Sequence, residues 1–198
     1  MSITGMIILV VIVVVILVIA AVAMSIVRRR QLKARFGPEY DRALAETPNR
    51  AAAENDLRAR EKRHAELDLK SLSSHDRDRY LKEWTRVQAA FVEDPSDAVN
   101  SADALVTRMM RARGYPTGDF DDQLETLSVE HAQTLDHYRA AHEIFEANLR
   151  GQASTEQLRQ ALVHYRVLAT DLLAANDAGD PGGSNDVGDV KDVRSDTR

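Results

Sequence analysis

The feature that most constrains this chain is a long apolar run close to its N-terminus. No residue from 1 to 27 carries an ionisable side chain, and 23 of these 27 residues are apolar. At about 1.5 Å per residue, the 21 residues from Ile7 to Val27 form a helix about 31 Å long, which matches the hydrocarbon core of a bilayer. The run therefore predicts a single transmembrane anchor over residues 1–27.

The rest of the chain is too polar to hold a second membrane span. The whole sequence is 44% hydrophobic, but residues 28–198 are only about 37% apolar, which is below the average for globular proteins. No other segment approaches the roughly 20 consecutive apolar residues that a membrane helix needs, so a transporter or channel with several spans is excluded. The lack of any cysteine excludes a disulfide framework.

Five cations follow the apolar run within eight residues and form a basic juxtamembrane collar over residues 28–37: Arg28, Arg29, Arg30, Lys33 and Arg35. The collar has a net charge of +5, whereas residues 38–175 and 176–198 carry −7 and −3. Nucleic-acid binding needs a clustered basic face, so the acidic body predicts no nucleic-acid partner. The partners we expect are the lipid bilayer, including anionic headgroups near the collar, and another membrane-proximal protein.

The collar also predicts how the anchor is oriented. Under the positive-inside rule, cations that occur only after the span place the N-terminus outside and the C-terminal domain in the cytoplasm, at the inner membrane. A cleaved signal peptide is the alternative, because Ala21-Val22-Ala23 has the small-x-small form of a cleavage site. The segment lacks a basic start, and its apolar core exceeds the usual length of about 7 to 15 residues. We therefore favour an uncleaved single-pass anchor and keep a secreted or extracytoplasmic domain as the alternative.

The apolar residues of the remaining chain recur with the period of about 3.6 residues that is typical of α-helices. No segment shows a convincing alternation of apolar and polar residues, which would indicate a β-strand. In residues 38–70 we expect a juxtamembrane helix and a connector helix, separated at Thr47-Pro48 with Thr47 as a candidate N-cap. Residues 49–68 contain only Leu57 and Leu67 as large apolar residues, which predicts an exposed, partly docked helix.

Residues 71–175 predict a small antiparallel, four-helix-like bundle, so the expected fold class is all-α. Helix starts are predicted at two capping boxes, Ser73–Asp76 and Ser154–Gln157, at Asp94-Pro95, and at Ser128 as a further cap. Helix ends are predicted at Gly114 and Gly151. Residues 176–198 have no apolar pattern and predict a disordered acidic tail.

Several short phrases of this chain occur together: residues 32–41 (LKARFGPEYD), 113–116 (RGYP), 127–129 (LSV), 138–142 (YRAAH) and 154–156 (STE). In them the chain resembles a bacterial, largely actinobacterial, group of proteins that are described only as "membrane" or "secreted" proteins. The resemblance extends over residues 1 to about 175 and implies a one-span anchor followed by a helical domain. It implies no activity, so it assigns no catalytic residue.

No residue pattern predicts an active site, a cofactor or a metal centre. His142-Glu143-Ile144-Phe145-Glu146 begins like the helix motif of zinc proteases, but Glu146 takes the position of the second histidine. The sequence also lacks a Gly-x-Ser-x-Gly elbow and a glycine-rich phosphate loop. We therefore predict no catalytic, cofactor-binding or metal-binding residue.

One helical face is rich in aromatic residues and contains the single tryptophan of the chain. Tyr80, Trp84 and Phe91 recur there at helical spacing. Packing in the core is the ordinary role of such residues, but an open edge of this face could receive a partner helix. Tyr80, Trp84 and Phe91 are therefore the candidate partner face.

These observations favour a non-enzymatic protein-interaction or scaffolding module that is anchored at the inner membrane face. Tethering to a membrane raises the effective concentration of a neighbouring partner, so that even a weak binding surface is useful. The alternative from another class is a ligand-binding or enzymatic bundle with a polar site between its helices, at His142, His164 or nearby carboxylates.

Overall fold

The structure is a computed structural model that describes residues 3–174, and every regular element in this range is a helix. The prediction of an all-α fold with an apolar N-terminal helix is confirmed. The predicted disordered tail, residues 176–198, lies outside the described residues. The helices are α1 (Ile3–Phe36), α2 (Pro38–Glu46), α3 (Arg50–Ala65), α4 (Ser74–Ala90), α5 (Pro95–Ala112), α6 (Phe120–Leu127), α7 (Leu135–Leu149) and α8 (Thr155–Ala174).

Helix α1 continues through the apolar run and the collar without a break. It has 34 residues and ends where Gly37, with a φ of 46°, turns the chain into α2. Among the described helices it is the one that is long and apolar enough to cross a membrane, and its apolar window is not buried against the rest of the described chain. By length and composition, α1 qualifies either as a membrane anchor or as a signal sequence.

The last turns of α1 pack with α2 and α3 around a small hydrophobic core. Leu32 and Phe36 of α1 are buried there, and the loop between α6 and α7 contributes one residue. Because α1 supplies two of its members, the apolar helix is packed onto the domain and not connected to it by a linker. We call this group the anchor core: Leu32, Phe36, Tyr40, Ala43, Ala53, Leu57 and Val129.

Helix α3 is docked more fully than its composition suggests. Ala53 and Leu57 have no exposed surface, and His64 is also buried. Alanine contributes little apolar area, but its small side chain lets α3 approach α1 and α2 closely, and close packing of this kind is what protein interiors require. The segment is a partly docked helix whose buried face consists of Ala53, Leu57 and His64.

The larger core lies among the four helices of the predicted bundle. Helix α7 packs along α8, α5 packs against both of them, and α4 packs mainly against α5. The bundle therefore has α5, α7 and α8 at its centre and α4 beside them. Its buried interior is formed by large side chains from all four helices, including Tyr80, Trp84, Leu105, Met109, Leu135, Tyr138, Leu162, Tyr165, Leu168 and Leu172.

Several predicted helix ends are confirmed. The side chains of Ser73 and Asp94 each accept a hydrogen bond, at 3.0 Å, from the backbone amide three residues later. Ser154 forms a capping box with the residue three positions later. Gly114 follows α5 with a φ of 92°, and a Cβ there would lie 2.3 Å from the carbonyl oxygen of Asp68, so only glycine fits this turn.

Two of the predicted caps are wrong. Thr47 ends α2, because its hydroxyl donates to a carbonyl of that helix at 2.7 Å, and Asn49 caps α3. Ser128 ends α6 by donating to a preceding carbonyl at 2.6 Å, and α7 begins only at Leu135. A hydroxyl can bond a preceding carbonyl or a following amide, so these residue types mark a helix boundary without fixing its direction.

Candidate functional site

The collar cations all lie on the solvent-exposed surface of α1. Lys33 Nζ is 3.5 Å from Asp41 Oδ1, and Arg35 Nη1 is 3.4 Å from Glu61 Oε1. No carboxylate in the described part of the chain pairs with the three arginines nearest the apolar run, Arg28, Arg29 and Arg30. These three cations are therefore available to anionic groups outside the protein, and their role in topology and lipid contact stays a prediction.

A buried ion pair joins the anchor core to the bundle. Glu39, in the first turn of α2, is only 2% exposed, and its two carboxylate oxygens accept hydrogen bonds from Arg139 of α7 at 2.6 and 2.7 Å. Arg42 Nε lies 3.6 Å from the same carboxylate. A bidentate guanidinium–carboxylate pair fixes both distance and orientation, so it holds α2 in register with α7.

Two further ion pairs cross the same junction at the surface. Arg42 Nη2 is 2.7 Å from Asp136 Oδ1 of α7, and Arg63 of α3 pairs with Glu125 of α6. Exposed pairs of this kind contribute about 0 to 1 kcal/mol each, so the buried pair between Glu39 and Arg139 dominates the electrostatics of the junction.

A cleft of about 550 Å³ opens beside the buried pair, between α2, α3, α6 and α7. Each arginine of its lining already has a carboxylate partner in the chain. The cleft is therefore not prepared for a simple anion. Its lining consists of Glu39, Arg42, Ala43, Glu46, Arg60, Phe120, Asp121, Leu124, Glu125 and Arg139.

A second polar group is buried where the loop between α6 and α7 meets the end of α8. His131 Nδ1 lies 2.8 Å from Asp171 Oδ2, and because a carboxylate only accepts, the proton is on Nδ1. Thr134 Oγ1 donates to the same oxygen at 3.0 Å. Burial alone would raise the pKa of Asp171, but the hydrogen bonds from His131 and Thr134 and the nearby positive charge lower it. Asp171 is therefore an ionised anchor for this loop.

The neighbouring Arg113 closes the C-terminal end of α8. It is 5% exposed, and its Nη1 donates to the carbonyl of Leu172 at 2.9 Å, where the helix dipole favours a cation. Its guanidinium also lies over the ring of Tyr115, whose hydroxyl donates to Glu130 Oε2 at 2.9 Å. Burial, followed by the charge of Glu130, raises the pKa of Tyr115, so the phenol stays protonated.

His64 connects α3 to this buried group. Its ring centroid is 6.2 Å from that of Tyr115, and its Nε2 is 3.6 Å from Glu130 Oε1. Burial lowers the pKa of His64, the charge of Glu130 opposes that shift, and Arg35 and His131 add to it. His64 is therefore neutral in the folded chain at neutral pH.

Acidification below pH 6.5 is expected to destabilise the folded chain through His64. Because its folded-state pKa lies below the ordinary 6.5, the unfolded chain takes up the proton first, and the free energy of unfolding falls as the pH drops from 6.5 towards the folded-state pKa. In urea unfolding at stepped pH, His64→Gln should flatten this dependence, whereas His75→Gln, at an exposed histidine of α4, should not. An unchanged slope in H64Q would contradict the assignment.

The predicted partner face is largely internal. Tyr80 and Trp84 are 4% and 7% exposed, and Phe91 packs against the same core. The large apolar residue of α4 that is exposed is Leu81, which follows Tyr80 in the sequence. The three aromatic residues therefore stabilise the contact between α4 and α5, and a role for them in partner binding stays a prediction.

The two histidines of the alternative polar site have separate surroundings. The His142 ring stacks on Phe120 with centroids 3.7 Å apart, while His164 Nδ1 lies 2.8 Å from Nδ1 of His137, so that one ring donates to the other. Burial, followed by the proximity of His137, lowers the pKa of His164. Within residues 3–174 no three metal-ligating side chains form a group that could hold a metal ion.

Sequence reasoning missed the buried pair of Glu39 and Arg139 and the cap that Arg113 provides for α8. The first two residues lie 100 positions apart, and neither has a local pattern that names its partner. The one available signal was position, because Glu39 follows the turn at Gly37-Pro38 directly and an acidic residue is favoured in the first turn of a helix.

No family model, curated protein or solved structure that was compared with this chain matches it.

Proposed function

We propose that this chain is a single-pass membrane protein whose helical domain acts as a protein-interaction or scaffolding module at the inner membrane face. The apolar part of α1 is the anchor, and the collar holds its C-terminal end in the cytoplasm. The phrases around Gly37 resemble those of a bacterial group of membrane or secreted proteins, which implies a one-span anchor followed by a helical domain.

The observation that carries the proposal is the continuity of α1 with the anchor core. Leu32 and Phe36 are buried by α2 and α3 about one and a half and two and a half turns after the apolar run ends at Val27. Leu32 and Phe36 lie beyond the candidate cleavage site at Ala23, so they belong to the domain in a cleaved and in an uncleaved chain alike. In an uncleaved chain their burial joins the apolar helix directly to the domain. A helix that spans a bilayer and ends in the domain core fixes the height and tilt of that domain at the membrane.

Among the residues of the bundle, the large apolar side chains that are most exposed lie at the end far from the anchor core. Ser96 and Asn148 are hydrogen-bonded at 2.9 Å, which brings the turn between α4 and α5 next to the end of α7. Val92 and Leu149 lie at these two places and are 87% and 60% exposed. Helix α5 runs from this end to the junction over 18 residues, so a partner bound here would be held at a set distance from the membrane.

Photo-crosslinking in intact membranes tests the interaction role. A photoreactive phenylalanine analogue at Val92 or Leu149 should give the same discrete protein adduct, because both positions lie at the far end of the bundle. The matched control is Lys62, an exposed position on α3 at the other end. The absence of a protein adduct from every exposed position of α4 to α8 would contradict the proposal.

A further inference from the structure

A small cleft lies where α3 crosses α1 just beyond the apolar run. Leu57 of α3 packs against Leu32 and Phe36, which fixes the position of α3 beside the collar. The cleft measures about 260 Å³. We call it the headgroup cleft, and its lining is Arg28, Gln31 and Leu32 of α1 with Arg58 and Glu61 of α3.

The headgroup cleft lies at the depth of lipid phosphates if α1 spans a bilayer. Its α1 residues follow Val27 by one to five positions, or up to about 7.5 Å along the helix axis. The polar headgroup layer on each side of a bilayer is about 5–7.5 Å thick. The cleft therefore opens within this layer, and this placement rests on the proposed function.

The charges of the headgroup cleft suit an anion. Arg28 has no carboxylate partner in the described range, and the single carboxylate of the lining, Glu61, is paired with Arg35 at 3.4 Å. Arg58 forms an ion pair with Glu54 of its own helix at 3.2 Å and donates to Asn55 at 3.0 Å, so Arg28 is the one cation of this lining that has no carboxylate partner in the described range. These two bonds use two of the five N–H donors of its guanidinium, so three donors remain for a ligand.

We propose that the headgroup cleft binds one phosphate group, which we assign to the headgroup of an anionic phospholipid. Arg28 and Arg58 line the cleft from two different helices, and Gln31 adds an amide to the same lining. Guanidinium groups are well suited to phosphate because their planar donors match its oxygens. Basic pockets beside membrane helices are places where anionic headgroups bind. Arg58 thus extends lipid recognition beyond the collar into the folded domain.

Native mass spectrometry of the full chain in detergent tests this site. With phosphatidylglycerol added, we expect one retained lipid per chain, and Arg58→Gln should weaken that binding about tenfold. Lys62→Gln removes the same charge from an exposed position of α3 outside the cleft, and it should change the binding less than about twofold. Phosphatidylcholine, which has no net charge, should bind more weakly than phosphatidylglycerol to the unaltered chain.

Three results would overturn the proposal. Equal losses in R58Q and K62Q would indicate diffuse attraction without a site, and equal retention of the two lipids would remove the preference for an anionic headgroup. Occupation by inorganic phosphate in place of phosphatidylglycerol would assign the cleft to a soluble ligand. Carbonate extraction tests membrane anchoring separately from lipid binding. R58Q should stay in the membrane pellet, because the substitution leaves the anchor intact. Release of the unaltered chain by carbonate would contradict the proposed anchoring itself.

Discussion

Replacing Arg139 with alanine is expected to lower the free energy of unfolding by about 3 kcal/mol. Glu39 is 2% exposed, and without Arg139 its charge would face the adjacent cleft with only Arg42, 3.6 Å away, as a cationic neighbour. Breaking a buried ion pair from one side costs about 3–5 kcal/mol, and the remaining contact with Arg42 places this case at the lower end. Urea unfolding of the full chain in micelles, followed by circular dichroism, measures the loss.

A double substitution separates the cost of leaving Glu39 without its partner from the cost of the packing that Arg139 provides. In Glu39→Leu with Arg139→Met both charges are gone and the volume is largely kept, so the unfolding free energy should return to within about 1 kcal/mol of the unaltered chain. Arg150→Ala, at an exposed arginine at the end of the same helix, is the matched control and should cost less than about 1 kcal/mol. If R139A were no more destabilising than R150A, the pair would not hold the junction.

Replacing Phe36 with alanine is expected to cost about 3–5 kcal/mol and to loosen α3 from α1. Phe36 has no exposed surface and belongs to the anchor core, so truncation of its ring leaves a cavity there. Hydrogen–deuterium exchange should rise in α2 and α3, while α8, which lies in the other core, should keep its protection.

The control for this substitution is a residue on the exposed side of the same turn. Lys33 is exposed, pairs with the exposed Asp41 and lies 6.0 Å from the centroid of the Tyr40 ring, so Lys33→Ala should cost less than about 1 kcal/mol and should leave exchange in α3 unchanged. Equal exchange in F36A and K33A would mean that α1 does not depend on the anchor core for its attachment.

The helical fold could be predicted because its signals are local. The capping side chains of Ser73 and Asp94 and the positive φ of Gly114 act within a few residues of their position, and the apolar run needs only its length. Leu57 indicated that α3 is partly docked, but the contribution of Ala53 could not be predicted, because it belongs to the core through its small size. The segment 128–134 was misassigned because the hydroxyl of Ser128 bonds backwards to α6.

The candidate site was harder to predict than the fold because its partners are distant in sequence. Arg28 and the other collar cations are visible in the sequence, but Arg58 joins Arg28 at the headgroup cleft only because Leu57 packs on Leu32 and Phe36. The pair of Glu39 and Arg139 depends in the same way on how α2 meets α7. Such long-range pairs follow from tertiary packing, which no periodicity encodes.

The most direct test of the central claim, an uncleaved anchor that holds the domain at the inner membrane face, is the accessibility of one introduced thiol. The chain contains no cysteine, so Gln152→Cys, at an exposed position beyond α7, gives a single site. An impermeant maleimide should label this site only after the cells are permeabilised, and the labelled chain should retain residues 1–27 in its intact mass. Labelling of intact cells, or a chain that lacks the apolar run, would contradict the account.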